Sequence, residues 1–203
     1  MKNRLILASA SPRRKELLEQ IGAEFEILPA KGEEVITSTR PEQVVLELSA
    51  QKAREAAGRF QAELSGENGG ERTIILGADT VVAFNHQILG KPKDEAAAVG
   101  MLRMLSGNTH SVFTGVALVV LKGDDQKFFS FYEETKVTMY PMTEAQIAAY
   151  VATGEPMDKA GAYAIQGKCA VYIEKIVGDY NNVVGLPVAR IYQEMEKSGI
   201  EIL

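Results

Sequence analysis

The chain is poor in the residues that most often hold metals or cross-links. Cys169 is the single cysteine among 203 residues. That excludes an intramolecular disulfide and a structural zinc site built mainly on thiolates. A reducing, cytoplasmic setting is the expectation. The two histidines, His86 and His110, have no partners at metal-ligand spacing. Both are expected in turns or at the surface, and a histidine-based zinc centre is not expected. There is no run of about eighteen apolar residues, so no membrane-spanning helix is expected. The apolar run near the N-terminus stops at Ala8, too short for a signal peptide. Two phosphate-binding signatures are missing, Gly-x-x-x-x-Gly-Lys-Ser/Thr and Gly-x-Gly-x-x-Gly. Positive charge is also in deficit. At a net charge of −5 the broad basic footprint of a nucleic-acid binder is absent, so cations that matter must be gathered locally.

What is present is an ordinary globular composition, 46% apolar and 24% charged. The length suits one domain over 1–203, in one or two lobes. A short apolar strand is expected over 4–8. Ser11 and Pro12 then open a helix that closes at Gly22. A second strand is expected over 24–28, and a long helix from Pro41 to about 64. The glycine-rich stretch 65–71 reads as a surface loop. A strand through Ile74-Ile75-Leu76 leads to a turn at Asn85-His86. Asp94 caps a helix that runs to Leu105. Strands over 110–121 and 127–139 form a hairpin around Gly123-Asp124-Asp125. Thr143 caps a helix over 144–153. The stretch 155–167 is polar, punctuated by glycine and without a period, as functional connections often are. A strand is expected over 170–177, a turn over 178–182 and a last helix from Gly185-Leu186-Pro187 to about 197.

Two places stand out chemically. The first is the start of the first helix, where Arg13, Arg14 and Lys15 crowd one turn. The free N–H groups and the dipole there favour anions, and a cation costs roughly 0.3–1 kcal/mol. Either the turn is a solvated basic patch paired with Glu16 and Glu19, or an external anion compensates it. With the hydroxyls of Ser9 and Ser11, the second arrangement makes a phosphate cradle. The second place is Gly77-Ala78-Asp79-Thr80. An ionised carboxylate inside an apolar run is costly unless paired, so Asp79 either sits at a sheet rim for chemistry or caps a hairpin turn. Elsewhere Glu33 and Glu34 are adjacent in a loop, Lys52 lies among alanines, and Lys91 stands between Gly90 and Pro92. Local cations with a few carboxylates suit a polyphosphate carrying a divalent ion. They identify a phosphate-ligand α/β protein and little more.

An ordered set of short motifs adds to this reading. It runs through Leu7-Ala8-Ser9-Ala10-Ser11-Pro12-Arg13-Arg14, Glu33-Glu34, Gln51-Lys52-Ala53, Gly77-Ala78-Asp79-Thr80, Gly90-Lys91-Pro92 and Leu105-Ser106-Gly107. It closes with 155–163, Ile165-Gln166-Gly167 and Val184-Gly185-Leu186-Pro187. Together these resemble the Maf family of nucleoside triphosphate pyrophosphatases over almost the whole length. The resemblance implies an α/β fold, a curved mixed sheet flanked by helices, with two lobes and a central cleft as in the inosine triphosphatase type. It implies hydrolysis between the α and β phosphates with a divalent cation, Mg²⁺ or Mn²⁺, and Asp79 as proton acceptor. Arg13, Thr80 and Gln166 match the branch that prefers dTTP, UTP and modified pyrimidine nucleotides. An amide such as Gln166 offers a donor and an acceptor to a pyrimidine edge. Ser9, Arg13, Arg14, Lys52 and Lys91 are then expected to hold phosphates, and Glu34 with Asp79 to hold the metal. A nucleoside triphosphate is the expected partner, with no membrane or nucleic acid, and a homodimer is left open. Two alternatives stand beside it: the branch acting on 7-methyl-GTP or a non-canonical purine nucleotide, and a nucleotide-binding regulator of septum formation.

Overall fold

The computed structural model describes residues 3–63 and 72–203. The loop expected over 65–71 lies outside the described residues. Strands β1 (Arg4–Leu7), β2 (Phe25–Ile27), β3 (Thr73–Phe84), β4 (Gln87–Leu89), β5 (Thr109–Lys122), β6 (Asp125–Met139) and β7 (Ile173–Val177) build one sheet. Its order is β2-β1-β3-β5-β6-β7, with β4 pairing on β3. β1 runs parallel to β2 and β3, and the other pairs are antiparallel. Helices α1 (Pro12–Gln20), α2 (Pro41–Glu63), α3 (Glu95–Leu105), α4 (Glu144–Val151), α5 (Tyr180–Val184) and α6 (Val188–Lys197) flank it. The mixed α/β architecture read from the sequence is the one observed.

The central strands are apolar on both faces because both faces are covered. In β3, Ile74, Leu76 and Ala78 enter the larger core, shared with α1, α3, α4 and α6. Ile75 enters a second core under Ala53, Ala56, Ala57 and Phe60 of α2, and Val81 packs with Val44, Val45 and Leu48. α2 lies unusually close to the sheet. A Cβ on Gly77 would meet the Ser49 carbonyl and the Ala53 backbone, and one on Gly115 would run into Val45. Both strand positions need a missing side chain for that contact.

Of the two readings of Gly77-Ala78-Asp79-Thr80, the hairpin turn is excluded: the segment lies inside the twelve-residue β3. The turn expected at Asn85-His86 is observed there, both residues with positive φ, the type I′ geometry of a two-residue hairpin. Other local expectations are corrected. The strand expected over 170–177 begins only at Ile173, because Lys168–Tyr172 forms a 3₁₀ turn. The expected turn over 178–182 contains most of α5, whose N-cap Asp179 accepts from the Asn181 N–H. Five residues are too few to display a helical period. His110 is a core residue, 3% exposed, and hydrogen bonds through Nε2 to the Tyr163 hydroxyl at 2.8 Å.

Candidate active site

Pairing between β1 and β3 ends at Leu7 and Leu76. Beyond it the chain leaves β1 for α1, while β3 continues alone on that side until β4 joins at Val82. The opening lies at the carboxyl end of parallel β1, where α/β sheets characteristically bind ligands. A cleft of about 1170 Å³ occupies it. The nine residues to which the family resemblance assigns a site role all line it: Ser9, Arg13, Arg14, Glu34, Lys52, Asp79, Thr80, Lys91 and Gln166. Glu33 does not line it and is exposed. Lys15 is also outside, paired with Glu19 at 3.5 Å, so the crowded helix start divides into two site arginines and one solvated lysine.

The cleft floor has two polar groups on opposite faces of β3. On the α2 face, the Lys52 ammonium bonds to Asp79 Oδ1 and lies 2.9 Å from a Glu34 carboxylate oxygen. Gly77, two residues before Asp79 on the same face, admits the α2 backbone that brings Lys52 within reach. No group among the described residues donates to Asp79 Oδ2. On the other face, Arg14 reaches the Gly185 carbonyl through Nε at 2.9 Å, Ser9 Oγ through Nη1 at 3.2 Å and Thr80 Oγ1 through Nη2 at 3.1 Å. These bonds use three of the five N–H donors of a guanidinium. Thr80 Oγ1 also pairs with Thr114 Oγ1 at 2.9 Å. Burial lowers the Arg14 pKa, and the nearby Asp79 charge acts the other way.

The N-terminus of α1 is open. Ser11 holds the N-cap position, but its side chain makes no cap bond; the Ser11 N–H donates to Ser9 Oγ at 3.2 Å. Among the described residues the Arg13 side chain makes no hydrogen bond or ion pair. Gln166 is exposed at the far wall. Its segment is held by Glu155, which accepts from the Tyr150 hydroxyl at 2.8 Å and the Lys168 N–H at 3.1 Å. Asp158 and Lys159 pair with each other at the cleft edge. The Lys159 hydrogen bond, more than the charge of Arg13, lowers the Asp158 pKa. The lining thus holds five cations (Arg13, Arg14, Lys52, Lys91, Lys159) and three carboxylates (Glu34, Asp79, Asp158). A protein of net charge −5 concentrates a cationic excess here, as a polyanion site requires.

The family of Maf-like proteins matches residues 4–198. The chain belongs to this family. A dTTP/UTP pyrophosphatase of Agathobacter rectalis is 56% identical over 98% of this chain and 100% of its own length. One of Lachnoclostridium phytofermentans is 47% identical over 98% and 97%, and one of Bacillus cereus 46% over 98% and 97%. In this Maf-like chain Asp158 and Lys159 stand out in the sequence as one of the polar clusters suited to a polyphosphate, without an assigned role, and the structure places both in the cleft. Tyr163 also lines it; it is buried and carries no signal in the sequence. No helix of the described residues is long and apolar enough to cross a membrane.

Proposed function

We propose that this chain hydrolyses dTTP and UTP, with modified pyrimidine nucleotides, to the monophosphate and pyrophosphate, a house-cleaning activity of the cytoplasm. The observation that carries this reading is Asp79 on the floor of a cation-rich cleft, paired with Lys52, which also pairs with Glu34, in a chain whose full-length relatives are dTTP/UTP pyrophosphatases by name.

Arg13, the open α1 N-terminus, Lys52 and Lys91 bind the triphosphate, and Arg14 with Ser9 shapes the cradle. Thr80 and Gln166 select the base. Asp79 Oδ2 takes a proton from water as the water oxygen bonds to the α phosphorus. The bond from that phosphorus to the bridging oxygen breaks, and the pair leaves with pyrophosphate. Among the described residues no three His, Cys, Asp or Glu side chains form a metal cage. Glu34 and Asp79 fit an ion of the Mg²⁺ class, which takes one or two carboxylates and fills its shell with water and phosphate oxygens. Bound there, it supplies neutralisation of the phosphate charge.

The test is a nucleotide panel with pyrophosphate detection in Mg²⁺ and Mn²⁺. dTTP and UTP should release pyrophosphate, with little from 7-methyl-GTP or ITP. Asp79→Asn should lower kcat by about 10²–10⁴-fold while the protein stays folded by circular dichroism. Turnover confined to 7-methyl-GTP, or release of orthophosphate, overturns the reading.

A further inference from the structure

Glu34 sits on a loop with no helix or strand from residue 28 to 40. Most of that loop is exposed, including Val35 at 59% and Ile36 at 54%. Such a loop does not by itself hold a carboxylate at a fixed place. Here it is held by one row of α2. Glu47, Gln51, Glu55 and Arg59 recur every four residues and therefore share one helix face. Glu47 accepts from the Thr37 N–H at 2.9 Å and from its hydroxyl at 2.6 Å. Glu55 accepts from the Lys31 N–H at 3.2 Å, and Arg59 donates to the Pro29 carbonyl at 2.8 Å. The loop is laid antiparallel along the helix.

Gln51 differs from the other three. Its Oε1 accepts from the Val35 N–H at 2.9 Å, and its Nε2 donates to the Val35 carbonyl at 2.6 Å. A single amide closes both polar groups of one backbone unit, which among long helix-forming side chains only glutamine can do. That unit follows Glu34 directly. Lys52 follows Gln51 directly and bridges Glu34 and Asp79. We propose that Gln51 is a positioning residue of the active site: it clamps Val35 so that Glu34 is delivered to Lys52 and Asp79. The inference rests on the functional reading above for the role of Glu34, but the clamp itself is a structural claim with its own readout.

Two measurements decide it. In amide hydrogen exchange, Gln51→Ala and the near-isosteric Gln51→Met should speed exchange at the Val35 N–H by about tenfold or more, leaving β3 and β5 protected. In kinetics on dTTP, both variants should lower kcat by about 10–100-fold, the usual effect of losing a group that orients a ligand-binding side chain, with less change in KM. The two mutations should be coupled: in a Glu34→Ala background, Gln51→Met should add nothing further. Unchanged Val35 exchange overturns the clamp. Faster exchange with unchanged kcat, or an undiminished Gln51 effect in Glu34→Ala, overturns the positioning role. If the wild-type protein hydrolyses none of the nucleotides, the functional reading falls, and the exchange measurement still decides the clamp.

Discussion

Arg13 and Arg14 are adjacent and chemically identical, and the fold uses them differently. Arg14 is tied to Ser9, Thr80 and the Gly185 carbonyl, while Arg13 lines the same cleft with its side chain bonded to none of the described residues. Substitution should separate binding from stability. Arg13→Ala should raise KM for dTTP and leave the urea midpoint unchanged, as surface changes usually stay within about 0.5 kcal/mol. Arg14→Lys keeps the charge but loses the fork that spans three acceptors. Ser9 Oγ keeps the Ser11 N–H and Thr80 Oγ1 keeps Thr114, so the Gly185 carbonyl is the acceptor left without a donor among the described residues; that costs about 1–3 kcal/mol, which for this size lowers Tm by roughly 2–12 °C. Equal Tm values for the two variants would contradict the division. The sequence showed that both arginines were out of place at a helix start. It did not show which would bond inward, because the acceptors are 66 and 171 residues away for Thr80 and Gly185.

At the scale of elements, α2 is the part that assembles the site. It carries Lys52 to Asp79 and grips the loop of Glu34, and it can do so because the sheet beneath it lacks side chains at Gly77 and Gly115. Two glycine substitutions should therefore act in opposite directions. Gly77→Ala places a methyl against the Ser49 carbonyl and Ala53. Overpacking of this kind typically costs about 1–3 kcal/mol, and the displaced helix should take Lys52 off Asp79 and lower kcat with it. Gly58 lies within α2 with nothing near its would-be Cβ. Gly58→Ala should stabilise by about 0.5–1 kcal/mol with activity unchanged. Thermal melts and initial rates on the same two proteins check both directions. The helix was legible from Val44 to Phe60 by its period. Its closeness to the sheet was not, because a glycine in a strand looks the same in sequence whether it marks a turn or a close approach. That ambiguity is why Asp79 read equally as a turn residue.

For the whole molecule, local pattern revealed most elements, the hairpins and several caps, since these depend on residues a few positions apart. The order of the sheet and the opening beside β1 depend on pairings across the chain; the family resemblance implied a mixed sheet with a central cleft but neither the strand order nor the place of the opening. His110 was misread for a related reason. A lone histidine at the start of a Val- and Thr-rich strand has no nearby partner in sequence, and its partner, Tyr163, is 53 residues on. Its burial has a consequence for stability. Desolvation pushes the His110 pKa down from 6.5 to about 4, and its Nδ1 has no partner among the described residues. Between these values the unfolded chain binds a proton that the folded protein refuses, so stability rises with pH across that window. The contribution is fully present above about pH 6.5 and is lost progressively as pH falls toward 4. A shift of this size corresponds to about 3 kcal/mol at most. Urea midpoints should therefore fall from pH 7 to pH 4.5 more steeply in the wild type than in His110→Gln, which keeps a polar group near Tyr163 and cannot be protonated. Carboxylates that titrate at the low end are common to both proteins and cancel in the comparison. Parallel curves for the two proteins would assign the acid sensitivity to those carboxylates and remove His110 from the account.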